Sequence, residues 1–477
     1  MKGFVGRERE LAILNAEIEA IRTDRQGRFV TVRGRRRVGK SWLVEELIER
    51  SRLPHVFFAA SKHTPERELT LFAEKIASST LPSATVVSGG TLFTTWEAVL
   101  VTAASGATRE QPSVIVIDEF PWLLEGRSAS EIEGSINTAW ERTLSRQPVL
   151  LILVGSDLGM MSALTEYGRP LHQRPTREIV VPPLSPIEVA RLTGRTGSDA
   201  LDAYLVTGGF PKIAGTWTSG SLREFLTDAL ADEGHPLVST GRLILDAEFP
   251  PGAQARSILS VIGADERPHK AIADETRIES KNLTPPLRTL IDRKRVIEAR
   301  LPLSIARSTD TRYGVTDPYL RFYLRFVDAQ LAEIERGRGR VLVPGILAAW
   351  ETFRGRSIEP LIREAIEHLL PDPRFGDASV VGGYWTKKND PEIDLIGADR
   401  RKPPVKGIAF IGSIKWRARG RFDGSDLAEL IRKGAQVPGV TTSTPLVGVS
   451  RAGFEPIRAQ LAAALDGDEL LAAFEER

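Results

Sequence analysis

Three groups of residues carry side chains at spacings suited to chemistry. The first is Gly34-Arg35-Arg36-Arg37-Val38-Gly39-Lys40-Ser41, a G-x-x-x-x-G-K-S run. Its glycines let backbone N–H groups curl toward phosphate oxygens. A helix starting at the end of the loop adds partial positive charge. Lys40 would reach the β- and γ-phosphates, and Ser41 would ligate Mg2+. The second group is Asp118-Glu119, which closes the apolar run SVIVI. A strand-end Asp suits Mg2+ binding, and the adjacent Glu suits activation of an attacking water. The third is Asp394 in PEIDLIG with Ser413-Ile414-Lys415 in IAFIGSIKW. A hairpin with an Asp and then an acid-x-Lys triplet would hold a divalent metal and steady an attacking hydroxide. Here Ser413 stands where the second acid belongs.

The elements that must position these groups are legible around them. Residues 29–32 are β-prone and precede the glycine loop, while Trp42, Leu43, Leu47 and Ile48 follow it at helical spacing. Strand, loop and helix in that order are the context of a Walker A motif. Residues 114–117 read as a buried parallel strand, with further strands at 55–59, 149–154 and from 178. Helical patterns at 66–77 and 131–144 separate them. This alternation predicts a parallel α/β sheet covered on both faces, with ligands at the carboxyl ends of its strands. Lys40, Asp118 and Ser156 then share one rim. Ser156 either senses the γ-phosphate or positions water, or it caps the next helix.

Composition sets the outer bounds. A chain of 477 residues that is 42% hydrophobic fits about three domains. No apolar run approaches the roughly 18 residues of a membrane span, and MKGFVGRERE lacks the apolar stretch of a signal peptide. A cytoplasmic protein is expected. Cysteine is absent, which excludes disulfides, thiolate nucleophiles and Cys-bound zinc. The six histidines never fall at metal-ligand spacing. A net charge of +2 argues against wholesale polyanion binding but leaves room for a local basic face.

The remaining chain reads as three further segments. Residues 187–245 are mostly helical, opening on Ser185-Pro186-Ile187-Glu188 with its N-cap serine and third-position glutamate. In residues 246–335, three helical stretches precede two strands near 296–301 and 312–315. That is a winged helix-turn-helix pattern. Its third helix would present Lys281, Asn282, Arg288, Arg293 or Lys294 to DNA, with Arg300 and Arg307 on the wing. Pro285 and Pro286 place the start of that helix near Thr284. Such modules also serve protein interaction. Gly337 to Leu342 reads as a hinge. Residues 345–477 follow, with one amphipathic helix from Trp350 to Ile366, strands at 380–385, 393–397, 408–411 and 446–449, and a helix at 427–431.

The first half resembles the archaeal and bacterial P-loop ATPases of the AAA+/STAND group. FVGRERELAIL, DEFPWLL, LVGSDLGMM, PLHQRPTREIVVPPLSPIEVARL and GGFPKIA carry the likeness. It implies a P-loop ATPase core over residues 1–186 and a helical lid over 187–245. ATP and Mg2+ would be held by residues 34–41 with Trp42, Ser41 and Asp118. It also implies that Arg7 and Glu8 lie on the adenine side, that Arg174 contacts phosphate or is structural, and that Gly209 and Pro211 begin the lid close to the nucleotide. The C-terminal segment resembles the PD-(D/E)xK nucleases, an α/β restriction-endonuclease-like fold. Transferred onto it, Glu359, Asp394 and Lys415 are the metal and phosphate residues. Ser413 implies loss of cleavage unless Glu359, Asp390 or Glu392 compensates; otherwise Asp394 simply pairs with Lys415. The reading is thus an ATP-dependent, DNA-associated switch. An ATP-regulated nuclease and an ATPase acting on a protein partner, with or without homo-oligomerisation, are the alternatives.

Overall fold

Continuous Val, Ile and Leu runs leave no polar face, so the strands they form must be buried on both sides. In the computed structural model two such runs, residues 113–118 and 149–155, are inner strands of a five-stranded parallel sheet. The structure describes residues 4–24, 26–88, 92–126, 128–249, 252–263 and 265–475. The chain divides into two compact units, residues 1–183 and 184–477.

The first unit runs α1 (Glu8–Asp24), β1 (Arg28–Arg33), α2 (Lys40–Ser51), β2 (His55–Ala59), α3 (Pro65–Ala77), α4 (Trp96–Ala104), β3 (Ser113–Asp118), α5 (Ala129–Arg142), β4 (Val149–Gly155), α6 (Leu158–Ala163) and β5 (Arg177–Val180). Strand order is β2-β3-β4-β1-β5, with every pairing parallel. Period-2 alternation sends Phe29, Ile115, Ile117, Leu151 and Leu153 to one face. There they pack with Phe72 of α3, Trp96 of α4 and Trp140 of α5. The α1 and α2 residues Leu14, Ile18, Leu43 and Leu47 are likewise buried.

The second unit opens with α7 (Pro186–Thr193) and α8 (Gly197–Thr207), followed by α9 (Leu222–Ala229) and α10 (Pro236–Glu248). Ser185 accepts from the Glu188 N–H and Glu188 accepts from the Ser185 N–H, so the capping box read from the sequence forms. Next come α11 (Gln254–Ile262), β6 (Arg267–Pro268), α12 (His269–Thr276), α13 (Ser280–Arg288), β7 (Ile297–Arg300), β8 (Arg312–Val315) and α14 (Pro318–Phe326). β6, β8 and β7 make a small antiparallel sheet in that order. Two expectations fail here. α13 starts at Ser280 rather than near Thr284; Pro285 and Pro286 lie inside it, and it widens into a π-turn over Thr289–Arg293. Residues 337–342 are no loose hinge, because Gly339–Leu342 is a 3-10 turn in which a Cβ on Gly339 would lie 1.9 Å from the Leu230 carbonyl oxygen.

The last stretch comprises α15 (Val343–Ser357), α16 (Glu359–Leu369), β9 (Val380–Tyr384), β10 (Ile393–Ala398), β11 (Ile408–Lys415), α17 (Gly424–Gly434), β12 (Leu446–Ser450), β13 (Ala463–Leu465) and α18 (Gly467–Ala472). The sheet order is β13-β12-β11-β10-β9, antiparallel through β9, β10 and β11 and parallel through β12 and β13. The single helix expected from Trp350 to Ile366 is two, broken at Ile358 because Pro360 cannot donate a helical hydrogen bond. β11 runs past Ile411 to Lys415, which puts Ser413 and Lys415 on the strand itself. Among the described residues no helix is long and apolar enough to cross a membrane.

Candidate functional site

In the first unit the loop between β1 and α2 is shaped by two left-handed residues, Arg37 (φ 69°) and Gly39 (φ 94°). Gly34 is needed for a second reason: a Cβ there would sit 2.4 Å from the Val181 carbonyl oxygen. Arg7, itself left-handed and buried, donates to the Val38 carbonyl (3.0 Å) and the Pro182 carbonyl (2.5 Å), so it braces the loop from behind. Lys40 is buried, and its ammonium donates to the Arg35 carbonyl at 3.0 Å. Trp42 is 42% exposed and meets Phe4 edge to face at 5.5 Å. Arg36 lies over the Trp122 ring at 5.6 Å, and the Lys62 ammonium also lies over it, at 5.1 Å.

The end of β3 faces this loop. The Ser41 hydroxyl donates to Asp118 Oδ2 at 2.6 Å, across 77 residues of sequence. The Glu119 N–H donates to Asp118 Oδ1 at 2.8 Å. Burial raises the Asp118 carboxyl above its ordinary range, against the lowering effect of Ser41, and the Glu119 charge adds to the rise. Glu45, one turn along α2 from Ser41, is raised by burial and by Asp118. Its i, i+4 relation to Ser41 is the sequence signal that could have found it. Glu119 is left-handed (φ 49°), a conformation that costs energy in a non-glycine residue and clusters at working sites. Its Oε2 accepts from the Ser156 hydroxyl at 2.7 Å. Ser156 is therefore not the helix cap: Asp157 caps α6 by accepting from the Met160 N–H. A serine hydroxyl and a buried carboxylate oxygen at hydrogen-bond distance are hard oxygen donors, and they fit Mg2+. A cation would also offset the burial that raises Asp118.

Other expected residues are placed elsewhere. Arg174 donates to Asn137 Oδ1 at 3.0 Å and pairs with Glu141, so α5 engages its guanidinium. Glu8 is exposed in the first turn of α1. Pro211 belongs to the second unit, at the first position of the one-turn helix Pro211–Ala214, and the Gly209 carbonyl accepts from the Leu184 N–H.

In the C-terminal stretch Asp394 and Ser413 do meet, but the ion pairs of Lys415 are with other acids. Asp394 Oδ2 accepts from the Ser413 hydroxyl (3.1 Å) and the Ile414 N–H (2.8 Å). Lys415 pairs instead with Asp426 and Glu429, each at 3.4 Å, so the expected Asp394–Lys415 pair is not formed. Asp426 and Glu429 lie on α17, which packs across β11 and offers carboxylates to the lysine. Glu359 pairs with Arg363 at 2.8 Å, and Arg363 also donates to the Asp394 carbonyl. Glu392 is engaged by Arg312 at 2.7 Å. Burial pushes the Glu359 carboxyl up to about 7; Arg363 opposes the rise, and Asp394, Glu266 and Glu392 add to it. Among the described residues no group of three or more His, Asp or Glu is placed to hold a metal ion.

The sequence reading missed one buried cluster. Asp202 of α8 accepts from Arg354 (2.9 Å), the Trp416 indole (2.9 Å) and Arg451 (3.1 Å). A lone Asp on a helix reads as solvated, and its partners are scattered along the chain, so no local pattern marks it.

Lys281, Arg288 and Arg293 are all exposed. Lys281 pairs with Glu279, which is exposed as well.

Comparison with known proteins agrees with the first-unit geometry. Residues 4–213 match a family described as an ATPase domain predominantly from Archaea. The match supports an ATP-binding P-loop ATPase domain in this part of the chain. Residues 323–426 match a family described as archaeal and bacterial proteins of unknown function. An uncharacterized protein of Methanocaldococcus jannaschii is 24% identical over 421 residues, 87% of this chain and 88% of that one. Among solved structures, a Walker-type ATPase of Pyrococcus abyssi aligns with TM-score 0.46 at 18% identity, over 68% of this chain and 96% of that one. The ORC2 protein of Aeropyrum pernix, in ADPNP–ADP complexes, aligns with TM-score 0.43 at 14% identity, over 73% and 98%.

Proposed function

We propose that this protein is a Mg2+-dependent ATPase that works as a nucleotide-controlled, DNA-associated switch. The observation that carries the catalytic part is the 2.6 Å Ser41–Asp118 contact beneath the phosphate loop, with Glu119 next in line. Backbone N–H groups of Gly34 to Ser41 hold the phosphates, and Lys40 leaves the Arg35 carbonyl to pair with the β- and γ-oxygens. Ser41 and Asp118 hold Mg2+, which supplies positive charge to the phosphate oxygens when bound. Ser156 fixes Glu119 through Oε2, leaving Oε1 to take the proton of the attacking water. Trp42, in the first turn of α2, borders the nucleotide.

The three helices and small sheet of residues 254–315 support a winged-helix reading, and the exposed Lys281, Arg288 and Arg293 on or beside α13 support DNA contact. We read residues 345–477 as a nuclease-like layout whose chemistry is lost. The Asp394 carboxylate is taken by Ser413 and Ile414, and Lys415 by α17. The decisive experiment on the ATPase is Lys40→Ala. Nucleotide binding should fall below detection while the fold persists by circular dichroism. Unchanged affinity in that variant would remove the proposal.

A further inference from the structure

The hairpin between β7 and β8 is not free. Leu303 is 3% exposed and packs in one core with Ile393, Ile396, Val405, Ile411 and Leu430 of the C-terminal sheet. Its N–H donates to the Gly383 carbonyl on β9, the outer strand of that sheet. The Val405 N–H donates back to the Ser304 carbonyl, and the Trp385 indole donates to the Asp310 carbonyl at 2.9 Å. Gly382 leaves the room: a Cβ there would meet the Leu303 side chain at 2.8 Å. At the hairpin base Arg312 binds Glu392 (2.7 Å) and Asn389 (2.8 Å) and lies over Trp385 at 4.5 Å. Arg300, expected to face phosphates, is taken by Glu266 and Glu298. An uncovered edge strand invites pairing with other chains, and this hairpin covers it.

The stretch that carries α12 and α13 is differently built. Residues 267–295 carry eight Lys or Arg against four Asp or Glu, a local excess in a chain of net charge +2. Lys281, Thr284 and Arg288 recur along one side of α13 and are exposed. The Lys281–Glu279 pair is an exposed one and holds the lysine weakly. Such a face complements the regular phosphate array of a duplex.

We propose that residues 301–311 are an internal strap for the C-terminal sheet rather than a nucleic-acid wing, so that duplex DNA is held by the α13 face alone, through Lys281, Arg288 and Arg293. The DNA half of this rests on the DNA-associated reading above. The test is fluorescence anisotropy of a labelled duplex with the full chain, titrated at salt concentrations from about 50 to about 200 mM. Lys281→Glu with Arg288→Glu should weaken binding roughly tenfold or more and reduce the salt slope by about 2, one for each phosphate no longer neutralised. Arg307→Glu, at the exposed hairpin tip, should stay within about twofold of the parent, since surface charges away from the bound phosphates matter little. Equal losses in the two variants, or binding by the parent that the α13 variant leaves intact, would overturn the proposal. If the parent binds no duplex at low salt, the DNA-associated reading falls. The strap is then judged by hydrogen exchange: the Leu303 and Val405 amides should be protected like those of β10, and exchange at loop rates would refute it.

Discussion

Replacing Asp202 with alanine is a sharp test of how the second unit is held together. Asp202 is 8% exposed, and its carboxylate has three donors from separate segments: Arg354 of α15, Trp416 after β11 and Arg451 after β12. The charge itself is not the source of the stabilisation, because burial raises the Asp202 carboxyl despite Arg354 and Arg451. The cost of alanine lies in what remains behind. The Trp416 indole N–H loses its acceptor, worth about 1–3 kcal/mol. Arg354 is 3% exposed, and stranding a buried partner costs about 3–5 kcal/mol. Both arginines keep a second carboxylate, Glu351 for Arg354 and Asp199 for Arg451, which moves the sum toward the lower end. A loss of about 3–4 kcal/mol is therefore expected for Asp202→Ala. Asp202→Asn keeps an acceptor for the indole and should cost only about half of that. Urea unfolding followed by circular dichroism and by Trp fluorescence measures both. A loss below about 1 kcal/mol in the alanine variant, or an asparagine variant as damaged as the alanine one, would refute the reasoning.

Two further outcomes follow from the geometry. Gly34→Ala puts a Cβ 2.4 Å from the Val181 carbonyl oxygen, so the loop must shift. Nucleotide affinity should fall roughly tenfold, about 1.4 kcal/mol, by calorimetric titration, and an unchanged affinity would show that the loop yields freely. Glu359 titrates at about 7 in the folded chain against an ordinary 4.5, so the folded state holds that proton more tightly. Its stabilising effect is complete below about pH 4.5 and is lost as pH rises through about 7, by at most about 3 kcal/mol and less where solvent reaches the carboxyl. Glu359→Gln should flatten that part of the stability–pH curve; a curve identical to the parent's would contradict the assignment.

The ATPase half was legible because its physics is local. Apolar runs bounded by Gly34 or by Asp118-Glu119 can only be parallel strands ending at a ligand rim. The contact between Ser41 and Asp118 followed from that rim although 77 residues separate them. The C-terminal half was legible in element order but not in wiring. The Ile358 break hid inside an uninterrupted apolar pattern, and only Pro360 signalled it. β13 and α18 were missed because AALDGDELLA is too short to show a period. Lys415 looked like a partner for Asp394 by strand spacing, whereas α17 supplies closer acids, and no strand pattern reports what a helix laid across it will offer. The fate of Leu303 was also invisible, since a Leu at a hairpin tip reads the same whether its sheet partner is nearby or absent.

The central claim is that Glu119, set by Ser156 at the mouth of the phosphate loop, activates water for ATP hydrolysis. The most direct measurement is Mg2+-dependent ATP turnover by Glu119→Gln alongside its ATP affinity. Turnover should fall by about 10²- to 10⁴-fold with affinity preserved. Turnover equal to the parent's, with ATP still bound, would contradict the account.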